Sequence, residues 1–273
     1  MPLGWFRRKP PAPLIDDEAW ASVRAALATR VALDPAQWVR LHELASRFAA
    51  DKTFTGVQGF QVTAEVRAAI AAQACLPALA LGLGGYRDFV EIVIYPAAFR
   101  VQRRLTDDAG VVHEHAEWLA GEAMDGGPVV LSWEDADPAQ LAEGVNVVIH
   151  EFVHKLDLLD GEADGIPPLP AGRRAAWRAA LDAAYDDFCD RLDAIERALP
   201  RHIDPESEAA DAWYARLPLD PYAATDPAEF FAVSGETFFI APQRLREAWP
   251  AWYDALAAFF RFTVPERTVD TDA

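Results

Sequence analysis

The stretch Val145-Asn146-Val147-Val148-Ile149-His150-Glu151-Phe152-Val153-His154-Lys155-Leu156-Asp157 decides how this chain is read. Its apolar lead-in suits a buried helix, and residues four apart on a helix lie one turn above each other on one face. His150 and His154 can therefore each turn a ring nitrogen to one ion. Glu151 lies about 100° round the helix from His150. That is too far round for a natural third ligand, but well placed to face a water on that ion. That geometry suits hydrolysis. Zinc brings the pKa of a water near neutrality, and a carboxylate beside it can take the proton and later hand it to a leaving amine. Asp157, three residues beyond His154, reads either as a partner for a ligand imidazole or as an exposed carboxylate paired with an arginine.

Two histidines do not complete a catalytic zinc site; a third protein ligand is needed, with one position left for water. His113 and His115 share one face of an expected strand, but adding both would close the site. His42 and His202 read as surface residues. Carboxylates are the better source. In Tyr222-Ala223-Ala224-Thr225-Asp226-Pro227-Ala228-Glu229-Phe230-Phe231-Ala232-Val233-Ser234-Gly235-Glu236, two glutamates share a helical face otherwise lined by Phe, Ala and Val. Acidic groups on an apolar helix need a partner, and a cation supplies one. Each has a competing role. Asp226-Pro227-Ala228-Glu229 can be a capping box with Pro at the first helical position, and Glu236 can pair with an arginine. The residues alone leave Glu229 and Glu236 open as third ligand.

Outward from the motif, helical spacing is expected over 16–28, 34–48 and from Thr63 to before Pro77, with Asp, Pro or Thr near each start. A short strand is expected at 57–62 and another at 89–95, ending at Pro96. Residues 99–105 and 111–120 flank Thr106-Asp107-Asp108-Ala109-Gly110 and read as a hairpin. Gly127-Pro128 introduces a strand at 129–133. From Pro138 onward the chain reads as helical, over 138–159, 171–199, 227–240 and 245–260, with a Gly- and Pro-rich loop at 161–170. Helices, then a small sheet, then helices define an α+β arrangement with the sheet packed on a helix layer. One domain over 14–265 is expected, with an extended arm at 1–13 and a polar tail at 266–273.

With 273 residues, 52% of them hydrophobic, the chain can bury a large core. A formal net charge of −18 repels phosphate backbones and anionic lipid surfaces. Cys75 and Cys189, far apart, make neither a disulfide framework nor a cysteine zinc site, and suit buried thiols in a reducing cytoplasm. The start carries charge without an apolar run behind it, unlike a signal peptide. No window approaches the roughly 20 apolar residues of a membrane helix.

His150-Glu151-Phe152-Val153-His154-Lys155-Leu156-Asp157, with Asp220-Pro221-Tyr222-Ala223-Ala224 and Asp226-Pro227-Ala228-Glu229-Phe230-Phe231-Ala232, resembles the Mlc titration factor A family. These are bacterial zinc peptidases related to the catalytic core of anthrax lethal factor. Gln58-Gly59-Phe60, Ile94-Tyr95-Pro96 and Gly127-Pro128-Val129-Val130-Leu131-Ser132-Trp133 resemble further family landmarks. The resemblance implies a zincin-like fold and one zinc ion held by His150, His154 and Glu229. It also implies Glu151 as general base and Tyr222 as a donor to the developing oxyanion, and leaves Glu236 to support the ligands. The strand at 129–133 resembles the edge strand along which zinc peptidases align substrates. Founding members bind the glucose-responsive repressor Mlc, so the resemblance implies an Mlc-like repressor as partner, besides a peptide or protein substrate. Aminopeptidase and internal cleavage both stay open.

Overall fold

The structure, a computed structural model, describes residues 15–106, 112–139, 145–205 and 207–264. The expected arm at 1–13 and tail at 266–273 lie outside the described residues. Three helices come first, α1 (Asp17–Ala28), α2 (Pro35–Asp51) and α3 (Ala64–Ala74), with β1 (Thr53–Gly56) between the last two. The strands β2 (Glu91–Tyr95), β3 (Phe99–Thr106), β4 (Val112–Leu119), β5 (Gly121–Ala123) and β6 (Val129–Ser132) follow. The rest is helical: α4 (Trp133–Ala136), α5 (Val147–Asp157), α6 (Ala171–Ala198), α7 (Asp211–Tyr214), α8 (Pro227–Ile240), α9 (Pro242–Ala248) and α10 (Pro250–Phe260). Among the described residues no helix is long and apolar enough to cross a membrane.

Side chains set these boundaries. Asp16, Asp34, Thr63, Asn146 and Asp226 each accept a hydrogen bond from a first-turn backbone N–H, satisfying donors that a helix start leaves open. Asp34 and Gln37 form a reciprocal capping box. Pro35, Pro227, Pro242 and Pro250 stand in first turns, where a missing N–H costs nothing.

A four-stranded mixed sheet has the order β1-β2-β6-β5, in which only β5 runs antiparallel to its neighbour. The hairpin β3-β4 forms a separate two-stranded ribbon, pairing Phe99 with Leu119 through to Thr106 with Val112. Helix α5 packs against β5 and β6 on one side and α8 on another. Buried side chains from Ala19 to Val264 form one connected core. Phe152 of α5 meets Phe48, Tyr86 and Phe89 edge-on. Phe230 and Phe231 of α8 meet Trp177, Trp249 and Trp252.

Four expectations need correction. The strand expected at 57–62 ends at Gly56, because the chain turns back where Phe60 N–H bonds the Val57 carbonyl at 3.0 Å. The helix expected over 138–159 begins only at Val147, where Asn146 caps it; residues 140–144 lie outside the described ones. The helix at 245–260 is two helices, because Pro250 restarts the chain after Trp249. The strand at 129–133 is not an edge: β6 is buried between β2 and β5, and the edges of this sheet are β1 and, on the side of β6, β5.

Gly235, unusual inside a helix, has a packing reason. A Cβ there would stand 2.7 Å from Val153 Cγ2, so glycine lets α8 settle closely onto α5. That approach brings Glu229 and Glu236 to the motif helix.

Candidate metal centre

Glu236, buried on α8, holds the start of the motif helix with both oxygens. Its Oε2 accepts from Asn146 N–H at 2.5 Å and its Oε1 from His150 Nδ1 at 2.7 Å. Asn146 is itself held by Gln73 Oε1 at 2.7 Å. The contact with a carboxylate assigns a proton to His150 Nδ1 and turns its Nε2 the other way. There it meets Glu229 Oε2 at 3.0 Å and His154 Nε2 at 3.1 Å, and His154 Nε2 lies 3.2 Å from the same Glu229 oxygen.

These three atoms form a nearly equilateral triangle. A tetrahedral ion with bonds of about 2.0–2.1 Å sets its ligand atoms roughly 3.3 Å apart. Two imidazole nitrogens and one carboxylate oxygen at this spacing fit a divalent cation and leave one position open. Burial works against a charged His150, yet its hydrogen bonds to Glu229 and Glu236 raise it well above the ordinary imidazole value. Burial likewise opposes the Glu229 carboxylate, but the bonds to His150 and His154 hold it well below the usual range. The first shift reports the carboxylates that face His150, the second the imidazoles that face Glu229.

Glu151 stays outside the triangle. It is buried against β5, where a Cβ on Gly121 would stand 2.4 Å from Glu151 Oε1. Burial pushes its carboxyl up to about 7, against the pull of His150 and His154. A carboxyl near neutrality can both accept and return a proton. Gly121 was not singled out from the sequence, although a glycine in a strand signals close approach of another group.

The other expected residues take varied places. Tyr222 sits on a short helical turn, Pro221–Ala224, that Asp220 caps; its ring centre is 6.1 Å from that of His150 and it is 45% exposed. Asp157 is buried and accepts from Gly165 N–H at 2.8 Å; among the described residues it bonds neither an imidazole nor an arginine. His42 is half-buried, not a surface residue: it stacks on Trp20 and its Nε2 lies 3.0 Å from the Ile15 carbonyl. His202 is exposed. His113 and His115 lie on β4, and their side chains fall outside the described residues.

Two lobes of a cleft meet at Gly121, His150, Glu151 and Tyr222, and all three residues of the triangle line the second of them. One, of about 280 Å³, is lined mainly by Ala120, Val145, Val147 and Val233. The other, of about 270 Å³, carries the acids Glu122, Asp125 and Asp226.

Fold and site together are those of an α+β protein with a His-His-Glu cluster that could hold a metal ion. The chain belongs to the glucose-regulated metallo-peptidase M90 family, whose profile matches residues 4–261. It is 37% identical over 230 residues to Mlc titration factor A of Serratia proteamaculans (strain 568), covering 84% of this chain and 81% of that one. With the protein of the same name from Salmonella gallinarum it shares 38% over 237 residues, 86% and 83% of the two chains. With that of Salmonella choleraesuis it shares 36% over 250 residues, 91% and 88%.

Proposed function

We propose that this protein is a zinc-dependent peptidase, with His150, His154 and Glu229 as metal ligands and Glu151 as general base. The triangle of two imidazole nitrogens and one carboxylate oxygen, with a separate buried carboxylate beside it, carries the reading. When bound, zinc supplies Lewis acidity that acidifies a water and polarises the scissile carbonyl. Glu151 takes the proton of the attacking water and returns it to the leaving amine. Glu236 fixes the tautomer and orientation of His150. Tyr222, at the mouth beside His150, donates to the developing oxyanion. The open edge of β5 receives the substrate backbone by strand addition, because its residues border both lobes of the cleft.

The direct test is hydrolysis of a peptide library, with free and blocked N-termini, before and after chelation. Cleavage that is lost with the metal and restored by zinc is expected; cleavage indifferent to chelation removes the proposal. Gly121→Ala should retain zinc but lose on the order of 10²-fold in kcat, since its methyl group displaces the Glu151 carboxylate and misplacement near 1 Å carries that cost. An unchanged kcat would mean that Glu151 does not act from this position.

The relatives' name says that they titrate Mlc. By that likeness we propose an Mlc-like transcriptional repressor as a protein partner, bound through the surface. A cytoplasmic location suits such a partner, and both Cys75 and Cys189 are free thiols.

A further inference from the structure

Lys155 follows the second histidine of the motif and has no exposed surface. An ammonium in a protein interior is costly unless its donors are matched, so its partners indicate its purpose. Its Nζ donates to the Met124 carbonyl at 2.6 Å and the Gly127 carbonyl at 3.1 Å, and lies 3.4 Å from Asp88 Oδ2. The Phe89 ring stands 4.7 Å from it. Three donors thus meet three oxygens, two of them backbone carbonyls of the turn between β5 and β6.

That turn needs an anchor. β5 has three residues and, among the described residues, a ladder on one side only, Gly121 to Ala123 against Leu131 to Val129. Its upstream end is tied well, through Ser132 N–H to the Ala120 carbonyl at 2.7 Å. Its downstream end is closed by two longer bonds, Met124 N–H to the Pro128 carbonyl at 3.3 Å and Gly127 N–H to the Met124 carbonyl at 3.1 Å, neither of which reaches α5. An apolar side chain would fill the same space but would take the Lys155 donor from the Gly127 carbonyl, leave the Met124 carbonyl only the Gly127 N–H at 3.1 Å, and tie neither to α5. Lys155 borders neither lobe of the cleft. It belongs to the helix that presents His150, Glu151 and His154, whereas the turn it holds carries Asp125 of the acidic lobe.

Resting on the peptidase reading, we infer that Lys155 is a positioning residue. Its ammonium clamps the β5-β6 turn to the motif helix, so the open edge of β5 stays in register with Glu151 and presents a fixed surface to the substrate backbone.

Lys155→Met removes the ammonium and keeps a straight apolar stem. In the full-length, zinc-loaded protein, zinc affinity should be unchanged, while amide exchange over 121–127 accelerates about tenfold or more relative to α2. In peptide hydrolysis KM should rise about tenfold with a smaller change in kcat. Exchange at wild-type rates overturns the clamp. Accelerated exchange with unchanged KM overturns the positioning role and leaves Lys155 a structural residue. Should Lys155→Met not fold, Lys155→Gln, neutral but still a donor, carries the same comparison with smaller shifts. A wild type that cleaves no peptide removes the peptidase reading, and with it the substrate role, while the exchange result still decides the clamp.

Discussion

Glu151→Gln is expected to keep its zinc and to lose about 10²–10⁴-fold in kcat/KM for peptide hydrolysis. Glutamine has nearly the shape of glutamate, so the close seat against Gly121 is preserved. The substitution removes the one oxygen that can accept and return a proton. Zinc stays because Glu151 is not one of the three groups that converge. The position also explains why a carboxylate is tolerated there: it is buried, but two imidazoles offset part of the burial cost. Elemental analysis and a steady-state assay on the same preparation check both halves. Full activity would exclude Glu151 as the general base and overturn this mechanism. The same variant separates chemistry from partner binding. Undiminished repressor binding shows that the interaction needs no hydrolysis; lost binding ties the two together.

Much of this site was legible from residue spacing. The His150/His154 pair and the offset Glu151 follow from the helical repeat alone, and the structure brings them together on α5. The second glutamate pair was legible as a pair, since Asp226-Pro227 marks the start of α8 and residues seven apart share a face. Which glutamate meets which atom was legible only through the family resemblance and not from spacing, because that depends on how α8 rests on α5. Gly235 against Val153 sets that approach, and a glycine inside a helix shows from sequence only that something comes close. The edge strand was misassigned for a related reason. β6 is a continuous apolar run, which reads clearly as a strand, but such a run signals a strand covered on both sides. β5 has three residues, begins with glycine and carries no alternating pattern, so nothing local distinguishes it from a turn. Asp157 was read from its nearness in sequence to His154, while its partner, Gly165, comes from the loop after the helix.

The second large effect contrasts Glu229→Ala with Glu236→Ala in zinc affinity, measured by competition with a chelator. Glu236 reaches the site only through His150 Nδ1, and removal of such an outer partner lowers metal affinity by about 10–100-fold. Glu229 supplies one of the three converging atoms, so its removal should cost more than that and leave an incompletely held ion. The helix start does not confound the comparison. Asp226 Oδ1 accepts from the backbone N–H of residues 228 and 229, and that cap survives alanine at 229. The Glu229 carboxylate is itself directed to the two histidines. Glu236→Ala carries a further consequence, since Asn146 N–H loses its acceptor at the start of α5. Its thermal stability should therefore fall even without metal; apo Glu229→Ala also loses stability, through its pairs with His150 and His154, but keeps the start of α5 intact. The reverse order of affinities would move the third ligand to Glu236. Equal, small effects would mean that the ion is held elsewhere, with His113 and His115 the next residues to substitute.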